Sequence, residues 1–289
     1  MHPYHRFVSE TARLVREARH LPLGGLPFAA RPALAADAPR VLIFSPHPDD
    51  ECIVGALALR LLRQAKMRIV DVAVTQGSNK ERKAARLAEL RGACAFLGFE
   101  VLTTAPGGLD RINASTRTAD PDHWQAAVAV IADILARERP RVVFCPHEAD
   151  SNTTHIGTHL LVVDALARQP PDFACHLVLT EYWAAMASPN LMVESSVDDV
   201  ADLVAATAFH AGEVRRNPYH LGMPAWMQDN VRRGGEIVGG QGGDAPDFAF
   251  ATLYRLERWR QGQREAAFAG GRLLPMRDDP WALLLEAPR

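Results

Sequence analysis

Residues 41–52 read Val-Leu-Ile-Phe-Ser-Pro-His-Pro-Asp-Asp-Glu-Cys. Val41 to Phe44 form a short apolar strand-type run, Ser45 to Pro48 turn the chain, and Glu51 to Gln64 reads as a helix. In an α/β sheet such a corner lies at the carboxyl end of a strand, where ligands bind, and the helix N-terminus beside it favours carboxylates and anions. His47 and Asp50, three residues apart across the turn, can converge on one point. Imidazole nitrogen and carboxylate oxygen belong to the ligand set of Zn²⁺, which needs one more protein ligand and a water to make a catalytic centre. Asp49 then stands free beside that water. The same Pro-Asp-Asp also serves as an ordinary helix start, with Asp accepting from free N–H groups and Pro presetting the turn. The metal reading therefore requires a second ligand-bearing segment.

Outward from this corner the chain repeats strand and helix. Arg68 to Thr75 is a β-branched run ending in Thr75-Gln76-Gly77-Ser78, Asn79 to Leu97 reads as a helix stopped by Gly98, and Phe99 to Thr104 as a third strand. A Gly-containing loop, a helix over Asp122 to Arg137 and a strand over Val142 to Cys145 follow. This alternation predicts an α/β, Rossmann-like three-layer sandwich with a mostly parallel sheet and helices on both faces. Neither G-x-G-x-x-G after the first strand nor a P-loop motif is present, so neither dinucleotide nor P-loop binding is signalled.

Residues 1–40 read as an N-terminal extension and connector: a weakly amphipathic helix over Ser9 to His20, with Ser9 as its cap, then a Pro-, Gly- and Ala-rich run from Leu21 to Arg40. Residues 41–289 read as a single domain. Its later part holds a strand in His176 to Trp183, whose closing Glu181, Tyr182 and Trp183 read equally as pocket lining or as core, a helix over Asp199 to Arg215 that contains His210, and a late strand over Phe248 to Trp259. Residues 217–246 read as a lid or interface segment, and the tail after Arg260 carries no signal.

The fourth strand ends in Cys145-Pro146-His147-Glu148-Ala149-Asp150-Ser151-Asn152-Thr153-Thr154-His155, and His159 lies one helical turn later. It repeats the first corner: apolar strand, Pro-His turn, polar loop, apolar helix. Residues four apart share a helix face, so His155 and His159 could both face the same cleft, and a histidine here supplies the third ligand, with His147 at the strand end as a further rival.

His47-Pro48-Asp49-Asp50-Glu51 resembles the signature of the LmbE-like, or PIG-L, zinc-dependent de-N-acetylases, and Asn152-x-x-His155 resembles their second motif. Thr75-Gln76-Gly77 and Arg86 to Glu89 match two further family segments, so that the resemblance covers about residues 41–166. It implies that His47, Asp50 and His155 hold Zn²⁺, that Asp49 is the general base, and that Arg86 binds substrate. Where the family usually carries a histidine this chain has Asn152, whose amide can donate to an oxyanion but supplies no proton. The implied reaction is hydrolysis of an N-acetylated small molecule, an N-acetylglucosamine saccharide or conjugate. An amidase acting on a non-sugar acyl amine, or a catalytically silent binding protein, are the alternatives. Fe²⁺, Co²⁺ and Ni²⁺ also suit such ligands.

Composition narrows the remaining classes. With 32 basic and 34 acidic side chains and a net charge of −2, the chain lacks the basic excess of a nucleic-acid binder. The four cysteines form no C-x-x-C pair, which fits a reducing compartment. No secretory signal and no apolar run long enough for a membrane span is read, so a cytoplasmic protein is expected, with self-association into a homo-oligomer left open.

Overall fold

A computed structural model describes residues 2–28 and 32–285, so that residues 29–31 of the connector lie outside the described ones. Helix α1 (Pro3–Ala18) precedes strand β1 (Arg40–Ser45). Then come α2 (Asp50–Ile53), α3 (Ala56–Arg63), β2 (Arg68–Ala73), α4 (Lys83–Leu97) and β3 (Glu100–Thr103). They are followed by α5 (Ala114–Ala119), α6 (Pro121–Glu138), β4 (Val142–Pro146), α7 (Thr153–Leu166) and β5 (Cys175–Thr180). The last third comprises β6 (Leu191–Ser195), α8 (Val197–Thr207), α9 (Ala211–Val214), α10 (Met223–Ile237), β7 (Phe250–Arg260), β8 (Gln263–Ala266), β9 (Arg272–Leu274) and α11 (Pro280–Leu285).

The sheet runs β3-β2-β1-β4-β5-β7-β6-β9, with β8 beside β7. Pairs β1–β2, β2–β3, β1–β4 and β4–β5 are parallel, while β7 runs antiparallel to both β5 and β6. This is the expected mostly parallel α/β sheet. Its strand order reverses between β1 and β4, and the loops that leave those two strands open a crevice at the switch point.

Side-chain alternation along β1 explains the two helical layers. Val41 and Ile43 belong to one buried cluster, with Leu57 and Leu61 of α3, Leu90 of α4 and Leu203 of α8. Leu42 and Phe44 belong to the other, with Trp124 and Ile131 of α6 and Leu161 of α7. A central parallel strand buried on both faces must be apolar at every position, and Val41 to Phe44 is.

Several elements depart from the sequence reading. The helix expected over Glu51 to Gln64 is two helices, broken at Gly55, whose φ is +84°. An added Cβ there would meet Thr252 and Tyr254 at 2.5–2.6 Å, so the break is where the chain passes against β7. The helix expected over Asp199 to Arg215 stops at Thr207 and resumes at Ala211, because His210 turns inward. Residues 223–237, read as part of a loop, form α10; Gly234 lets this helix approach so closely that a Cβ would lie 2.7 Å from Met192. Helix α1 begins at Pro3 rather than Ser9, since Pro is at home in a first helical turn. β6, β8, β9, α5 and α11 were not anticipated. All four cysteines are buried, and no helix among the described residues is long and apolar enough to cross a membrane.

Candidate metal centre and active site

The β1 corner is tied by its own backbone. His47 N–H donates to Asp50 Oδ2 at 2.9 Å, and Asp50 N–H to the His47 carbonyl at 3.3 Å. Asp49 is held at φ 122°, a region non-glycine residues rarely visit, and its N–H donates to Glu51 Oε2 at 2.8 Å. Glu51 is in turn 2.6 Å from His210 Nε2, both side chains fully buried. The inward turn of His210 thus braces the strained residue from behind.

Across the switch point, Asn152 caps α7 by accepting from Thr154 N–H at 2.9 Å, and His155 sits in the first turn. Asp150 accepts from Asn152 N–H at 2.8 Å and from Trp183 N–H at 3.2 Å. Its Oδ2 lies 3.7 Å from His155 Nδ1, and Tyr182 stands edge-on to the His155 ring at 4.9 Å. Those contacts aim His155 Nε2 toward the β1 corner.

Three potential ligand atoms then meet. His47 Nδ1 is 3.4 Å from Asp50 Oδ2, His155 Nε2 is 3.3 Å from Asp50 Oδ2, and the two histidine nitrogens are 3.3 Å apart. Tetrahedral Zn²⁺ with bonds of about 2.0–2.1 Å separates its ligands by about 3.3 Å, so the triangle fits such an ion without adjustment. The surroundings favour positive charge there as well. Burial pushes the Asp50 carboxyl up, yet His155 and His47 outweigh it and hold it well below the usual carboxylate range. Burial lowers His155, but Asp50 and Asp150 push it up to about 10. A second metal-capable group, Glu51, Cys52 and His210, fails the same test: 2.6 Å between Glu51 and His210 is a hydrogen bond, too short for two ligands of one ion.

Asp49 lies beside the triangle in a cleft of about 220 Å³ that also takes in Arg86, Asn152, Trp183, Glu213 and Tyr219. Burial and the neighbouring Asp50 charge push its carboxyl up to about 7, against the pull of His210, Tyr219 and Arg86. Tyr219 Oη–H donates to Asp49 Oδ2 at 2.5 Å. Arg86 donates to the Pro48 carbonyl at 2.9 Å and lies 3.9 Å from Asp49 Oδ1 and 3.8 Å from Glu213. Gly77, at φ +80°, leaves no room for a Cβ beside that guanidinium, which accounts for glycine after Thr75-Gln76.

The other residues singled out in the sequence fall elsewhere. His159 Nδ1–H donates to the Pro146 carbonyl at 2.8 Å and His147 Nε2–H to the Ala184 carbonyl at 3.0 Å, so neither joins the triangle. Glu181 is bound by Arg233 and by Met186 N–H, whereas Trp183 does reach the cleft. His210 is behind the site rather than facing it. Sequence reasoning missed Tyr219, Asp150 and Glu213. Asn-Pro-Tyr-His carries no periodic signal, and only the fold brings Tyr219 to Asp49 from 170 positions away.

The mostly parallel sheet thus carries, at its switch point, a His/Asp/His triangle that could hold a metal ion and a free carboxylate beside it. Residues 42–166 match the family model described as "PIG-L: GlcNAc-PI de-N-acetylase", and over that span the chain carries a domain of the PIG-L, or LmbE-like, family. No curated protein matches the sequence. Among solved structures, the N,N'-diacetylchitobiose deacetylase of Pyrococcus horikoshii is 17% identical with a TM-score of 0.56, covering 86% of this chain and 92% of its own. The 4-carboxy-2-hydroxymuconate hydratase of Pseudomonas putida KT2440 is 18% identical with a TM-score of 0.54, covering 75% and 95%. The pseudoaglycone deacetylase of the antimicrobial A40926 is 16% identical with a TM-score of 0.54, covering 78% and 99%. At these identities the likeness is one of fold.

Proposed function

We propose that the protein is a Zn²⁺-dependent N-deacetylase that hydrolyses the acetamide of an N-acetylglucosamine-containing saccharide or conjugate. The observation that carries this reading is the 3.3–3.4 Å triangle of His47, Asp50 and His155 with Asp49 buried at its side. When bound there, Zn²⁺ would lower the pKa of a water and polarise the acetamide carbonyl. Asp49 takes the proton of the attacking water at Oδ1, because Oδ2 is occupied by the Tyr219 hydroxyl. Asn152 has its Oδ1 engaged by Thr154 N–H, which leaves its amide Nδ2 free to donate to the developing oxyanion. Asp49 then returns the proton to the leaving amine, so that acetate and a free amine leave. In this reading Arg86, which lines the cleft, binds a sugar hydroxyl, and Trp183, 45% exposed, offers an apolar face to a pyranose ring.

The test is acetate and free-amine release from N-acetylglucosamine, its β-linked oligomers, glycosides and N-acetylated amino acids. Zinc-loaded protein is compared with its Asp49→Asn variant, and bound zinc is measured in both. We expect turnover of at least one sugar, and an inactive variant that still binds one zinc. Zinc binding without turnover of any sugar overturns the sugar assignment, and turnover confined to N-acetylated amino acids replaces it with the non-sugar amidase.

A further inference from the structure

We propose that the substrate cleft continues past the metal triangle into an acyl subsite that takes the half-amide of a dicarboxylic acid, so that the acyl group removed ends in a carboxylate. The inference rests on the metal-dependent hydrolase reading and extends its substrate class beyond acetamides. A second cleft of about 410 Å³ shares His47 with the one that holds Asp49, whereas Asp49, Asp50 and Asn152 line only the latter. The chemistry sets the direction of the substrate. Asp49 takes a proton from the attacking water and returns it to the leaving nitrogen, so the water oxygen and the nitrogen both face Asp49. The oxyanion faces the metal site and Asn152. The fourth substituent of the tetrahedral carbon is the acyl chain, which therefore points away from Asp49, past His47 and into the second cleft. An acetyl methyl group fills little of that space.

The lining of the second cleft selects the chain it takes. Leu109 and Ile112 give it an apolar stretch. Lys83 Nζ donates to the Gly107 carbonyl at 2.8 Å, a contact that fixes the ammonium without cancelling its charge. Lys80 lines the same cleft, and neither lysine has a carboxylate partner among the described residues. Asn113 Oδ1 accepts from Thr116 N–H at 2.8 Å, from the Thr116 hydroxyl at 3.0 Å and from the Ser115 hydroxyl at 2.6 Å, so what Asn113 offers a ligand is its Nδ2 donor. Arg111 is balanced by Asp120 at 2.8 Å. Asp110, the one carboxylate of the lining, is 69% exposed and 3.5 Å from His123 Nε2. Two uncompensated ammonium groups and an amide donor in a partly apolar cleft match a carboxylate carried on a short methylene chain. The first cleft differs: its Arg86 and Arg216 both meet Glu213, at 3.8 and 2.7 Å, which suits a neutral sugar on the amine side. Hydrolysis breaks the C–N bond, leaves the hydroxyl of water on the acyl carbon and its proton on the amine, and releases a dicarboxylate.

Binding and turnover test this separately. Calorimetric titration of the zinc-loaded Asp49→Asn protein compares succinate with succinamate, which has the same length and lacks the distal charge. Succinate should bind roughly tenfold or more tightly, and Lys80→Gln with Lys83→Gln should erase the difference. For turnover, each amine of the panel above is offered in N-acetyl and N-succinyl form. The N-succinyl form should show a kcat/KM roughly tenfold or more above that of the N-acetyl form, and the ratio should fall to near one in the lysine variant at unchanged zinc content. Succinate and succinamate bound alike, or a preference that survives the lysine substitutions, overturns the proposal. So does turnover of an N-acetyl form with no preference for its N-succinyl counterpart, a result that leaves the deacetylase reading standing. No turnover of any amine in either form removes the hydrolase reading and the acyl assignment with it.

Discussion

Replacing Tyr219 by Phe removes one hydroxyl and tests how the proposed base is tuned. Tyr219 Oη donates to Asp49 Oδ2 at 2.5 Å inside a cleft where Asp49 is 8% exposed. A hydrogen bond to a charged acceptor contributes about 1.5–3 kcal/mol. Because the ionised carboxylate gains most of that, its loss raises the Asp49 pKa by about one to two units at 1.36 kcal/mol per unit. The sign follows: a base must be ionised to take a proton, so the acid limb of kcat/KM moves to higher pH by that amount. Activity near neutral pH should fall roughly 10- to 100-fold and recover in alkali, while bound zinc stays at one per chain. The assay is the pH profile of acetate release by the wild-type and Tyr219→Phe proteins, with zinc measured alongside. A folded, zinc-replete variant whose acid limb has not moved refutes the reasoning, because Tyr219 would then not be bonded to Asp49 in the working enzyme.

Other consequences follow from single contacts. His155→Ala removes one corner of the ligand triangle and should abolish zinc binding in equilibrium dialysis, whereas Asn152→Ala should keep the metal and lose roughly 100-fold in kcat, the cost of one oxyanion donor. Gly55→Ala forces a Cβ to within 2.5 Å of Thr252 at a positive φ and should cost about 2–4 kcal/mol in denaturant unfolding. Asp71, fully buried on β2 with one oxygen held by Ser45, has its carboxyl pushed well above the usual range by burial and by the Glu51 charge. Its folded pKa exceeds the unfolded value, so its contribution to stability is full below about pH 4 and is lost as the pH rises. Asp71→Asn should accordingly raise the melting temperature at pH 8 by a few degrees and make little difference at pH 4.5.

The parts of this molecule legible in its sequence are those fixed by local chemistry. The Val41 to Phe44 run had to be a central parallel strand, and the Pro-His turns after β1 and β4 had to lie at one sheet edge. Those two facts bring His47, Asp50 and a histidine of the second corner together, and the contacts of His159 with the Pro146 carbonyl and of His147 with the Ala184 carbonyl leave His155 as the one that meets them. What stayed hidden depends on packing at long range. Gly55 reads as a tolerable glycine within a helical pattern until Thr252 and Tyr254 of β7 occupy the space its side chain would need. His210 reads as one residue of a continuous helix until the pull of a buried Glu51 breaks that helix. Tyr219 sits in a segment with neither helical nor strand periodicity, and α10 behind it carries glycines at 234 and 235 that argue for a loop. There Gly234 permits close packing on Met192 and Leu253, and Gly235 on Ala245.

Four carboxylates, Asp49, Asp50, Glu51 and Asp71, are buried around the end of β1, an arrangement that would be strongly unfavourable if all were charged and unpaired. The fold settles each differently. Asp71 is driven toward its neutral form, with Ser45 as partner. Glu51 takes its counter-charge from His210, itself raised by that carboxylate against its burial. Asp50 draws on two histidines that can serve either as proton carriers or as fellow ligands, and their spacing matches a tetrahedral ion. Asp49 is left with a carboxyl lifted to about 7 by burial and the Asp50 charge, against the pull of His210, the Tyr219 hydroxyl and Arg86 at 3.9 Å. A carboxylate that accepts a proton readily, beside a site that favours a cation, is what general-base hydrolysis requires. The strained backbone at Asp49, braced by Glu51 and His210, is how the chain holds it there.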